Sequence, residues 1–95
     1  MDDKDKVTEE KIAKYRELTN KALAAAKKSI AKRKTKQASE IISMVQNYLS
    51  DAEFFEQKGD FVNCFAALNY ALGWLDSGAR LVIFNVKDDK LFTVR

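Results

Sequence analysis

Few side chains in this chain have the type and spacing to do chemistry. Asp76 and Arg80 stand four positions apart with the acid first, the order that favours an ion pair within one helix. They are the only charges between Phe61 and Phe84. With Asn69, Tyr70, Trp74 and Ser77 they would frame a polar-aromatic groove for a ligand or a partner helix. A pair alone is not a site, however, so a structural role or a subunit contact outranks ligand binding. The decapeptide from Lys27 to Lys36, KKSIAKRKTK, holds six positive charges and no negative one. Lys27, Lys28, Lys32, Arg33, Lys34 and Lys36 are therefore candidate phosphate contacts. No aromatic residue is interleaved to stack on bases, and a solvated helix end is the plainer reading. Cys64 has no histidine anywhere to serve as its base, which makes it core filler. Asp51, Glu53 and Glu56 lack the Glu-x-x-His spacing of di-metal bundles, and Asp88-Asp89 reads as a turn. No metal and no cofactor is expected.

Composition narrows the classes further. The chain has 95 residues and a mass of 10.8 kDa, enough for one domain. There is no proline, and there are only three glycines, too few for the many turns of a sandwich or barrel. The lack of histidine and the single cysteine exclude zinc fingers, disulfide frameworks, and Ser-His-Asp and Cys-His catalysis. An enzyme is not expected. The longest uncharged stretch, Phe61 to Leu75, is too short and too polar to span a bilayer. The start, MDDKDKVTEE, has no apolar run of the signal-peptide kind. These features predict a soluble, cytoplasmic protein with no membrane partner, and a lone cysteine fits a reducing compartment. Charge is uneven: residues 1–36 carry a net +6 and residues 37–95 a net −3.

Three helices would position these groups. The first is predicted over about residues 8–31, with Thr8 as its N-cap and Glu9 and Glu10 in the first turn. Its stripe runs Ile12, Tyr15, Leu18, Ala22, Leu23, Ala26 and Ile30. From Lys32 to Gln37 no apolar residue appears, so a turn is placed there. Neither Gly nor Pro marks it, and one long helix from Thr8 to Lys58 is the alternative. The second helix, residues 38–58, spaces Ala38, Ile41, Ile42, Val45, Tyr48, Leu49, Ala52 and Phe55 by threes and fours. Lys58-Gly59 is its stop signal and Asp60 caps the next helix at once, a tight antiparallel hairpin. The third helix is predicted over residues 61–84. It carries a bulky stripe through Phe61, Phe65, Leu68, Leu72, Leu75, Ala79 and Val82. Beside it lies a smaller one through Cys64, Ala67, Ala71, Trp74, Gly78 and Leu81, so this helix should pack on two neighbours. Leu68, Leu72 and Leu75 should be buried. Gly73 and Gly78 each cost about 1 kcal/mol relative to alanine in a helix and call for close approach or a kink. The tail, residues 85–95, is short and β-prone at Leu91, Phe92 and Val94.

The run from Tyr48 to Leu81 resembles the core of a small archaeal all-helical family, a domain of unknown function. The residues that carry the resemblance are Asp51-Ala52, Gly59-Asp60-Phe61, Tyr70-Ala71 and the stretch Gly73-Trp74-Leu75-Asp76-x-Gly78-x-Arg80-Leu81. It covers about residues 12–84. It implies a three-helix up-and-down bundle and supplies no catalytic residue.

The expectation is thus an all-α antiparallel three-helix bundle, and a small non-catalytic interaction or scaffolding module. Surplus apolar surface predicts a homodimer, with Tyr70, Trp74, Asp76, Arg80 and Phe84 on the partner surface and the tail close by. The alternative is an accessory nucleic-acid-binding protein that uses the basic segment.

Overall fold

The computed structural model describes residues 6–87 and Phe92. It contains three helices, α1 (Glu9–Lys27), α2 (Thr35–Gln57) and α3 (Phe61–Arg80), arranged up, down and up. The Thr8 side chain accepts a hydrogen bond from the Lys11 amide at 3.1 Å, which fixes the start of α1. Between α2 and α3, Gly59 adopts φ +74°. The amide of Asp60 reaches the Phe55 carbonyl and that of Gly59 reaches Glu56, each at 2.9 Å, closing the helix end. Asp60 then caps α3 by accepting from the Asn63 amide at 3.1 Å. α3 is central and packs along both other helices, whereas α1 and α2 scarcely touch.

Helices one and two are separate, joined by residues 28–34. The first ends at Lys27, earlier than expected, and the second begins at Thr35, ahead of its first apolar residue. Arg33, at φ +69°, makes the reversal that a glycine would ordinarily make.

The core lies in two groups. Near the loop 28–34 are Ala22, Leu23, Ala26, Ala38, Ile41, Val45, Ala71, Leu75 and Ala79; near the hairpin are Ile12, Ala52, Cys64, Ala67 and Leu68. Leu68 and Leu75 are buried as expected, but Leu72 is only half-buried. The centre draws on both stripes of α3. Cys64, Ala67, Ala71 and Gly78 are buried, while the bulky Phe61, Phe65 and Leu72 flank the seam half-exposed. Short side chains let the neighbouring helices approach closely, and Leu68 and Leu75 fill the remaining space. Thr19, buried within α1, donates its hydroxyl to the Tyr15 carbonyl at 2.7 Å.

The third helix does not run to Phe84. It stops at Arg80, and the amides of Val82 and Ile83 fold back onto the Ala79 and Gly78 carbonyls at 3.1 and 2.8 Å. This is the two-bond helix stop whose left-handed position is usually glycine; here Val82 occupies it at φ +57°. The reversal turns Ile83 and Phe84 inward, where they are 8 % and 1 % exposed. Phe84 seats its ring against Gly78, where an added Cβ would lie 2.5 Å from a ring carbon. That contact accounts for a glycine within the helix: the closest approach comes from the chain's own return, with Ile41 of α2 the next neighbour. Phe84 also forms an antiparallel bridge with Ile30, in which Ala31 donates to the Ile83 carbonyl at 2.9 Å and Asn85 to the Ser29 carbonyl at 2.6 Å. Phe92 joins the same core at 3 % exposure. Leu91, Val94 and the Asp88-Asp89 turn lie outside the described residues.

Candidate functional site

Of the side chains expected on a partner surface, the structure leaves some outside and withdraws one. Phe84 is removed from the candidate surface because it fills the core beneath Gly78. Tyr70 and Trp74 remain, 62 % and 38 % exposed. The three-four spacing of α3 sets Asn69, Tyr70, Gly73, Trp74 and Ser77 on one outward face, and together they line a shallow hollow of about 320 Å³. Among the described residues, nothing beyond its own helical turn comes within 4 Å of a Cβ built on Gly73. Trp74 also borders a second hollow of about 640 Å³, shared with Ile41, Met44 and Ile83 and rimmed by Gln37 and Glu40. The face extends onto α2, where Tyr48 stacks on Tyr70 with ring centroids 5.4 Å apart and 24° between planes. Sequence reasoning counted Tyr48 in the α2 stripe and did not join it to Tyr70. Facing rings on adjacent antiparallel helices follow from register, which a single sequence does not print.

Asp76 is half-buried and Arg80 exposed. Ion pairs among the described residues include Arg16–Glu56 and Glu17–Lys21. Arg16 links α1 to the end of α2. Its bond to Glu56 holds its guanidinium above the ordinary arginine value. The same guanidinium lies 4.0 Å from the Cys64 sulfur. Burial pushes the Cys64 thiol up, against the opposing pull of Arg16, so the sulfur stays protonated near neutral pH. Among the described residues no cluster of three or more His, Cys, Asp or Glu is placed to hold a metal.

All six basic residues in and beside the loop, Lys27, Lys28, Lys32, Arg33, Lys34 and Lys36, are exposed. They sit at the end of the bundle opposite the hairpin. No helix among the described residues is long and apolar enough to cross a membrane.

An all-α three-helix domain with an open aromatic face and a basic end is the class that these features define. The chain belongs to the family described as Protein of unknown function (DUF357), which it matches over residues 14–84. No curated protein and no solved structure matches it.

Proposed function

We propose that this domain is a non-catalytic helical interaction module that self-associates through the aromatic face of α2 and α3. Gly73 carries the reading. An exposed glycine inside a helix costs about 1 kcal/mol relative to alanine, and among the described residues beyond its own helical turn nothing approaches Gly73 to justify that cost. Tyr70 and Trp74 stand exposed on either side of it along the helix. A second helix crossing at Gly73 would explain the glycine and cover both rings.

The second helix is best supplied by another copy. A two-fold contact needs a patch that is complementary to itself. This patch has both parts, since the projecting Trp74 ring lies beside the hollow at Gly73 and the hollow at Met44. The non-catalytic half of the reading is supported by the absence of histidine and by a sole thiol that is buried and protonated.

Light scattering over a wide concentration range tests the reading. The mass is expected to rise from 10.8 kDa toward twice that value, and Gly73→Leu and Trp74→Ala are expected to stay monomeric. A parent mass steady at 10.8 kDa at the highest concentration refutes self-association.

A further inference from the structure

The end of the bundle where α1 and α3 stop brings together two segments distant in sequence. Residues 27–36 contribute six cations, and residues 80–87 add Arg80 and Lys87. The Ile30–Phe84 bridge ties the segments side by side. All eight cations are exposed, and neither segment contains an acid. Counting Asp88 and Asp89, which follow outside the described residues, eight positive charges still face two negative ones.

Three aliphatic side chains stand among these cations. Ile30 is 37 % exposed, Leu81 67 % and Val82 55 %. Val82 is the most telling. It is β-branched and held at φ +57°, a backbone region in which such residues are genuine outliers. Glycine would relieve the strain, and asparagine would relieve it while preferring water. The chain instead keeps a strained valine in solvent, so what favours it lies outside the chain.

We propose that this end of the bundle docks on an anionic lipid surface, its cations over the headgroups and Leu81, Val82 and Ile30 entering the headgroup–acyl boundary. The sequence expectation of no membrane partner rested on the lack of a spanning segment, which this mode of binding does not need. Polybasic attraction and shallow apolar insertion are the two signals that peripheral binding combines. Each cation near such a surface contributes roughly a fivefold gain in partitioning. A nucleic-acid backbone would use the cations alone. Base stacking would need exposed aromatic rings; the single aromatic residue in the two segments, Phe84, is buried.

Co-sedimentation of the full chain with vesicles tests the proposal. One set is phosphatidylcholine alone; the other is equal parts phosphatidylcholine and phosphatidylserine. The parent is expected to bind the second set and not the first, and to be released by salt. The double variant Leu81→Ser with Val82→Asn suits the left-handed position, so it should keep its helical circular dichroism, yet bind about tenfold more weakly. Lys32→Glu with Lys34→Glu should weaken binding by at least about tenfold. Three results overturn the proposal. The parent ignores anionic vesicles at low salt; the aliphatic variant binds as well as the parent; or an RNA duplex strips the parent from vesicles and binds the aliphatic variant equally, which makes the end a nucleic-acid site.

Discussion

Alanine is expected to have opposite effects at two glycines of the same helix, Gly73 and Gly78. In an open helical position Gly→Ala gains about 1 kcal/mol. Gly73 is such a position, with no described residue beyond its own helical turn within 4 Å of the added carbon. At Gly78 the same carbon would lie 2.5 and 2.6 Å from two atoms of the Phe84 ring and 3.3 Å from the Ile41 methyl. The ring has little freedom to swing away. It is 1 % exposed, and its backbone is bonded to Gly78 on one side and bridged to Ile30 on the other. Overpacking a core costs about 1–3 kcal/mol, and two ring atoms inside contact distance point to the upper end. Set against the helix gain, the net loss is about 2 kcal/mol, roughly a 10 °C fall in Tm for a domain this small. Urea denaturation at low protein concentration, where association does not contribute, reads both variants. Phe84→Ala supplies the control: once the ring is gone, Gly78→Ala should turn neutral or stabilising. A Gly78→Ala protein as stable as the parent, with Phe84 in place, refutes the assigned packing.

Leu75→Ala should cost about 2–5 kcal/mol in the same assay, and Leu72→Ala about 1–2, because only Leu75 is fully enclosed; equal losses would contradict the seam described for α3. The raised Cys64 value means that the folded state holds the thiol proton more tightly than the unfolded chain. Its contribution to stability is therefore full below the ordinary value of 9.0 and is lost as pH rises past it. Urea midpoints should fall more steeply above pH 9.0 for the parent than for Cys64→Ala, and parallel profiles would rule this out.

The helices and the hairpin were legible in the sequence because their signals are local. Thr8, Gly59 and Asp60 act within four residues of where they stand, and the α2 stripe reports its own buried side through Ala38, Ile41, Val45 and Ala52. What was not legible depends on residues meeting across the chain. The stop of α3 was missed because Val82 fills a position where glycine is the recognisable mark. The loop before α2 was legible from the apolar gap at residues 32–37, but its observed span, residues 28–34, begins earlier, and Arg33 fills the left-handed position where a glycine would have marked it. Phe84 then reads as surplus apolar surface, since nothing near it announces a return onto Gly78. Gly78 itself was flagged as needing a close neighbour, and the neighbour proved to be six residues ahead in its own chain. On the candidate surface, Tyr70 and Trp74 were placed from helical spacing alone. The stacking of Tyr48 and the approach of residues 27–36 to 80–87 required the packed arrangement.

The sparse contact between α1 and α2 has a consequence for the order in which the molecule assembles. α2 and α3 share an extensive seam across a turn of almost no length, so their pairing is local and fast. α1 finds its place on α3 and is fastened at its far end by residues 30 and 84, separated by 54 positions. Closing that span carries an entropy cost which the hairpin avoids. α1 is thus an outrigger on a prebuilt hairpin, and it is the element that can lift away without unmaking the rest. Amide hydrogens of α1 should exchange through partial opening, ahead of those in the middle of α2 and α3. Uniform protection across the three helices would mean instead that the domain opens only as a single unit.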